Sequence, residues 1–171
     1  YFVINISSPN TPGLRELQTP NFLKDLFKDL NHERLKRRKY KPILIKISPD
    51  LEKNKIDELL QIIEGCKIDG VVATNTTVNF PKLESKSKNE SGGLSGAPLL
   101  KKSNQIISYI SKKTEGKLPI IGVGGILSAK DAIDKLKCGA HLVQLYTGII
   151  YEGPVIALSL IHISEPTRPY W

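Results

Sequence analysis

The chain has no methionine, one tryptophan and two cysteines among its 171 residues. An open reading frame starts with methionine, so a chain without one reads as a fragment or a processed product. A start directly in an apolar stretch, Tyr1-Phe2-Val3-Ile4, favours the fragment. Cys66 and Cys138 lie far apart, lack metal-ligand spacing and form no cluster with His32, His141 or His162. Both read as small buried hydrophobes, which leaves no expected metal site. No histidine falls at a strand end where it could meet Ser8, which excludes a Ser-His-Asp hydrolase. The chain shows no signal-peptide pattern and no unbroken apolar run of spanning length. The longest candidate, Leu142 to Ile163, is interrupted by Gln144, Glu152, Gly153 and Pro154.

Basic residues outnumber acidic ones, 25 to 17, for a net charge of +8. The excess gathers in Lys36-Arg37-Arg38-Lys39 and Lys101-Lys102, which read as solvated helix ends. Nucleic-acid binding is not expected, because interleaved aromatics and any nucleic-acid motif are missing. A mild positive field does suit an anionic small ligand.

What is present is a repeated alternation. Tyr1–Ile4, Pro42–Ser48, Gly70–Thr74, Pro119–Gly125 with its glycine-rich end, and Leu142–Tyr146 are near-continuous apolar runs, rich in β-branched residues. Amphipathic helices separate them. Thr19 and Pro20 start the first, with Phe22, Leu23, Leu26, Phe27 and Leu30 on one face. Ile56, Leu59, Leu60 and Ile63 mark the second, and Ile106, Ile107 and Ile110 the third. Ser128 caps a fourth that carries Ala129, Ala132, Ile133 and Leu136. Residues 79–98 form a long polar loop closing on Gly92-Gly93-Leu94-Ser95-Gly96. Apolar runs without alternation mean parallel strands buried on both faces and built from βαβ units. An open doubly wound sheet and a (β/α)8 TIM-type barrel both fit. The barrel is favoured, because each of the five strands carries polar or glycine residues at its carboxyl end, where barrel sites form.

Those strand ends carry the candidate chemistry. Asn5-Ile6-Ser7-Ser8-Pro9-Asn10-Thr11-Pro12-Gly13 gathers amides and hydroxyls in one shaped loop, although Asx and Ser turns build similar stretches for structural reasons alone. Lys46 is a lone cation in an apolar strand and needs a partner, either a carboxylate such as Asp50 or an anionic ligand. Asn75, Thr76 and Thr77 can read a polar heterocycle. Gly122-Val123-Gly124-Gly125 and Tyr146-Thr147-Gly148, with Gly96, expose backbone N–H groups suited to a phosphate. Phosphate sites in barrels follow strands seven and eight, which numbers the five strands four to eight. The G-x-G-x-x-G dinucleotide fingerprint is not matched.

These stretches resemble dihydroorotate dehydrogenases of the membrane-associated, quinone-dependent class. The resemblance rests on the loop above extended through Leu14-Arg15, and on Lys46-Ile47-Ser48-Pro49-Asp50-Leu51 and Thr74-Asn75-Thr76-Thr77. It continues through Gly92–Gly96, Ile120–Gly125 and Leu142–Thr147, in order, over about residues 1 to 158. It implies FMN as cofactor, dihydroorotate and orotate as substrate and product, and a quinone as electron acceptor in pyrimidine (UMP) biosynthesis. It implies Ser8 as the general base, in place of the cysteine of cytosolic relatives. Asn5, Asn10, Asn75 and Thr76 would then bind substrate. Asn5, Lys46, Thr74, Gly96, Gly125, Tyr146 and Thr147 would bind FMN. Membrane association, at the mitochondrial inner membrane or the bacterial cytoplasmic membrane, would come through an amino-terminal segment missing here, along with the first three strands. Residues 1–163 are thus expected to be the carboxy-terminal part of a catalytic domain. Residues 164–171, with Pro166 and Pro169, are expected to be an irregular tail of foreign origin. The competing readings are a non-catalytic remnant that only binds a ligand or another chain, and a class 1 type pyrimidine flavin oxidoreductase, which Ser8 disfavours.

Overall fold

The computed structural model describes residues 1–11, 13–14, 19–79 and 91–164, with backbone only for 162–164. Strands and helices alternate: β1 (Phe2–Asn5), α1 (Pro20–Leu35), β2 (Ile43–Ile47), α2 (Lys53–Gly65), β3 (Gly70–Ala73), α3 (Leu100–Lys113), β4 (Ile120–Val123), α4 (Ala129–Lys137) and β5 (Leu142–Gln144). Two further helices follow, α5 (Thr147–Glu152) and α6 (Val155–Ser164). The five strands form one sheet in the order β1-β2-β3-β4-β5, and all four pairings are parallel. A doubly wound sheet reverses its strand order at a switch point. Here the order rises without reversal, as it does around a barrel.

Register fixes the two faces of the sheet. Asn5, Lys46, Val72, Ile121 and Leu142 lie side by side in one row across it. Side chains alternate along each strand, so Leu44, Thr74, Val123 and Gln144 share that face. The other face carries Ile43, Ile45, Ile47, Val71, Ala73 and Ile120, which pack with Leu23 and Phe27 of α1, Ile56, Leu59, Ile62 and Ile63 of α2, and Ile106, Ile107 and Ile110 of α3. Leu44, Val72, Ile121 and Val123 form a separate small cluster on the face away from these helices.

The amphipathic spacing delivers the helices, with one exception. Leu23 and Phe27 are buried and Leu26 and Leu30 pack beside them, but Phe22 is exposed. The helical stripe is narrower than its apolar residues suggest. Ser128 caps α4 as expected: its Oγ accepts the Asp131 N–H at 3.2 Å, and its hydroxyl donates to the Asp131 carboxylate at 2.7 Å. The end of α1 is not simply solvated, since Arg34 pairs with Asp69 at 2.6 Å, and Asp69 also accepts the Ile43 N–H.

Among the strands, the two outer ones carry the exposed apolar residues, which follows from their lack of an outer neighbour among the described residues. Phe2 is 60% exposed and Leu142 is 59% exposed, whereas β3 and β4 are wholly buried. β1 and β5 each have one neighbour, so one side of each stays open among the described residues. β5 is also shorter than its apolar run, because α5 begins at Thr147. Cys66 and Cys138 are half-buried at helix ends rather than enclosed. α6 extends helix through Ser164, past the expected boundary at 163, while the rest of the proposed tail, 165–171, lies outside the described residues.

One helix offers a paired test of this packing. Phe27→Ala removes a fully enclosed ring and should lower the unfolding free energy by about 3–5 kcal/mol. Phe22→Ala should cost less than about 1 kcal/mol. Urea denaturation followed by circular dichroism distinguishes them, and equal costs would contradict the assigned face.

Candidate functional site

The carboxyl ends of the five strands converge through polar contacts. Ser7, fully buried, donates its hydroxyl to the Lys46 carbonyl at 2.7 Å. Asn75 Nδ2 donates to Asn5 Oδ1 and to Ser7 Oγ, both at 3.1 Å, and the Ser7 N–H donates to Asn5 Oδ1 at 3.3 Å. The loops after β1 and β3 are thereby tied together across the top of β2. Asn75 Oδ1 accepts the Thr76 N–H at 2.8 Å, so the Asn75 amide is spent on positioning its neighbours. Ser7 is the member that sequence reasoning missed. Nothing in Ser7-Ser8 distinguishes the serine that faces inward from the one that faces the loop.

Ser8 is half-buried in the turn above. Its Oγ accepts the Asn10 N–H at 3.3 Å and the Thr11 hydroxyl at 3.4 Å. Asn10 stands close to Gly92. Next to it, Pro9, Thr76 and Gly93 meet so tightly that a Cβ on Gly93 would lie 1.9 Å from Thr76 Oγ1 and 2.9 Å from Pro9 Cγ. Only glycine fits there. Thr77 and Leu94 exchange backbone hydrogen bonds at 3.1 and 2.8 Å, which carries Ser95 and Gly96 across to the last strand. The Thr147 hydroxyl then donates to Ser95 Oγ at 3.0 Å, and Gly96 lies against Thr147 Cγ2.

A cleft of about 90 Å3 opens between these elements, lined by Lys46, Thr74, Asn75, Gly125, Tyr146 and Thr147 among others. Whole ligand pockets run roughly 300–1,000 Å3, so this cleft can enclose one end of a ligand. The remainder would lie along the open face of the sheet. The 320 Å3 hollow between α1 and α2 has mainly aliphatic walls, and neither it nor the hollows of 560 and 740 Å3 elsewhere hold any of the expected site residues. Gly124 and Gly125 sit at φ +116° and +78°. A Cβ on Gly125 would lie 2.6 Å from the Leu100 backbone, so the turn packs directly on the start of α3.

Two polar groups at the cleft lack partners among the described residues. Thr74 Oγ1 is buried with no hydrogen bond. Lys46 has no ion pair or side-chain hydrogen bond, and burial pushes its ammonium below the usual lysine range. Of the two partners considered for Lys46, the carboxylate Asp50 is taken: it binds Lys102 at 2.6 Å, Thr77 Oγ1 at 2.5 Å and the Val78 N–H at 3.0 Å. Burial pushes the Asp50 carboxyl up, but these donors outweigh it and hold it below its ordinary value. Asp50 therefore anchors the segment after β3. Residues 80–90 of the following loop, together with Pro12 and Arg15, lie outside the described residues.

The expected site residues Asn5, Ser8, Asn10, Lys46, Thr74, Asn75, Thr76, Gly96, Gly125, Tyr146 and Thr147 all lie at this one end of the sheet. Comparison with known proteins bears on what such a site is for. A family profile described as "Dihydroorotate dehydrogenase" matches residues 1–163. The "Dihydroorotate dehydrogenase (quinone)" of Christiangramia forsetii is 54% identical over 156 residues, covering 91% of this chain and 46% of its own length. That of Trichodesmium erythraeum is 47% identical over 169 residues, covering 94% and 44%. The crystal structure of DHODH from Eimeria tenella in complex with ferulenol superposes with a TM-score of 0.87 at 35% identity, over 93% of this chain and 47% of that one. The chain spans less than half the length of these relatives, and its parallel sheet is the corresponding part of their TIM-type barrel. Matched along 163 of its 171 residues, it belongs to the dihydroorotate dehydrogenase family.

Proposed function

We propose that this chain is the carboxy-terminal part of an enzyme that oxidises dihydroorotate to orotate with FMN and delivers the electrons to a quinone. The observation that carries the reading is Lys46, a half-buried cation with no anionic partner among the described residues. Such a cation is stabilised by a ligand that is, or becomes, negative. The orphan Thr74 hydroxyl and the glycine turn at Gly124 and Gly125 add a second and a third point of fit for FMN. The quinone, like the dihydroorotate, comes from the names of the relatives. Membrane association belongs to the same proposal and would require a segment outside this chain. No described helix is long and apolar enough to cross a membrane.

FMN bound here supplies the acceptor for the hydride leaving C6 of dihydroorotate. The chain's own residues divide the remaining work. Gly96, Gly125, Tyr146 and Thr147 hold the ribityl phosphate, and Thr74 and Asn5 hold the flavin ring. Lys46 would face the flavin's N1/O2 edge, where a cation would favour the negative charge of the reduced ring. Ser8 takes the proton from C5. Both hydrogen bonds that reach Ser8 Oγ are donated to it, which favours negative charge on that oxygen. Its partial exposure gives the proton a way out to water. Asn5 keeps its Nδ2 free of described partners while Asn75 and Ser7 hold its Oδ1, so Asn5 can donate to the substrate ring. Asn10, Asn75 and Thr76 complete the substrate pocket beside Gly92 and Gly93.

Three outcomes test the reading. In the full-length enzyme, Ser8→Ala should leave FMN bound and slow flavin reduction by dihydroorotate roughly 100-fold or more, as loss of a general base does. Stopped-flow bleaching of the flavin measures this, and an unchanged rate would sink the assignment. Lys46→Ala should lower the flavin reduction potential, since a cation near N1 favours the anionic reduced form. A potential that stays put or rises in a potentiometric titration would rule out this placement.

The third outcome concerns the chain alone. Apolar side chains such as Phe2 and Leu142 remain exposed at its two open edges. That forgoes roughly 25 cal/mol for each Å2 left unburied, against a native margin of about 5–15 kcal/mol. Open edges also invite association. The isolated chain should therefore be aggregated or partly folded and carry no stoichiometric flavin. A monodisperse, flavin-loaded monomer on size exclusion would contradict this.

A further inference from the structure

A second lysine is buried from the opposite side of the sheet. Lys135 of α4 is fully enclosed, and among the described residues it has no carboxylate partner. Its Nζ donates to Asn104 Oδ1 at 2.7 Å and to Ser103 Oγ at 3.0 Å. Ser103, itself fully buried, donates onward to the Val123 carbonyl at 2.7 Å. The same carbonyl accepts the Thr74 N–H at 2.9 Å. A chain of three hydrogen bonds thus runs from the Lys135 ammonium through Ser103 and Val123 to Thr74, the residue with the orphan hydroxyl in the cleft.

The strand makes room for this lysine. A Cβ on Gly122 would lie 2.6 Å from Lys135 Cδ and 2.7 Å from its Cγ. β4 therefore gives up a side chain in its centre, and the lysine stem passes over the gap. Such an arrangement is costly as mere packing. A methionine would fill the same space without desolvating a charge, and burial pushes the Lys135 ammonium down to about 8. Asp131 and Cys138, on its own helix, act only at a distance to raise it.

The geometry of the relay shows what the charge serves. Val123 C=O and Gly124 N–H belong to one trans peptide and point in opposite directions. The carbonyl is held by the Ser103 hydroxyl of α3 and the Thr74 N–H beyond β3, so the Gly124 N–H of the same peptide points away from both. Polarising that carbonyl also strengthens its own N–H as a donor. Ser103 Cβ lies 3.4 Å from where a Cβ on Gly124 would stand, so the cation sits within two side-chain contacts of the turn.

We propose that Lys135 is a positioning residue for the anionic end of the ligand, holding the Val123–Gly124 peptide through Ser103 and placing a buried positive charge beneath the glycine turn. This rests on the reading of the cleft as an FMN site, and it adds a residue on the far side of the sheet that touches neither ligand nor solvent.

FMN and riboflavin, which lacks the phosphate, make the test selective. The full-length apoenzyme is titrated with each by flavin fluorescence. Lys135→Met should weaken FMN binding by about tenfold or more and leave riboflavin binding within about twofold, because only FMN carries the charge the relay serves. Ser103→Ala keeps the cation but breaks the relay. It should move FMN affinity in the same direction by a smaller factor, and it decides the matter if Lys135→Met does not fold. Equal weakening of both flavins would mean a purely structural lysine and overturn the proposal, as would unchanged FMN affinity. Failure of the parent enzyme to bind FMN would instead overturn the FMN reading of the cleft, and this inference with it.

Discussion

A parallel strand can be followed by another only after a crossover long enough to return the chain, and in this chain each return includes a helix on the same face of the sheet. Two consequences fix everything else. All five carboxyl ends face one way, so residues as distant as Asn5, Lys46, Thr74, Gly125 and Thr147 share one rim. The helix-covered face is spoken for by apolar packing, so polar chemistry falls to the other face and to the loops above it. The Asn5–Asn75–Ser7 contacts and the Ser95–Thr147 contact are what this common direction makes possible.

Both lysines at this end of the sheet pose the same electrostatic problem from opposite sides. Lys46 rises in the row with Asn5 and Val72 and faces the cleft directly. Lys135 comes from the helix layer through the gap at Gly122 and reaches the rim only through Ser103 and a backbone carbonyl. Neither has a described carboxylate partner, and Asp50, four residues beyond Lys46, is held by Lys102. Two desolvated cations around a glycine turn are unfavourable in an empty protein and favourable around a bound anion. That difference is binding energy stored in the fold.

Much of this was legible in the residues. The near-continuous apolar runs of β2, β3 and β4 gave parallel strands within a residue or two of the observed bounds, because both of their faces are buried and periodicity is not needed to find them. Ser128 announced its helix, since capping is a local interaction. The apolar run of β1 reads as buried, and most of its residues are exposed because it is an edge: such a run records what a strand was selected to pack against, not what is present beside it. Phe22 failed for a different reason: helical spacing admits it to the stripe, but only the partner element decides where the stripe ends. Ser7, the Asp50–Lys102 pair and Lys135 were invisible. Each depends on which residue of another element lies within 3 Å, and by sequence Lys135 is an ordinary lysine on an amphipathic helix. Its only trace is a glycine in the middle of an apolar strand, Gly122, which by itself reads as a weak spot.

The distribution of the site along the chain has a physical consequence. The glycine-turn end of the cleft is built from β3, β4, β5 and the Leu94–Gly96 segment that crosses to Thr147, all of them paired. The end that would hold a ring is bounded by β1, whose outer side has no described neighbour. Preorganisation is therefore unequal within one site. Glycine backbone geometry at Gly124 and Gly125 is set by packing on Leu99 and Leu100 and does not wait for the rest of the sheet. Asn5, Ser8 and Asn10 stand on a strand end and loop with support on one side, where the described contacts come from Lys46, Asn75, Gly92 and Gly93. The glycine-turn half of such a site can be correctly placed while the Asn5–Ser8 half is not yet held, because the first is fixed by local packing and the second by support on both sides of β1.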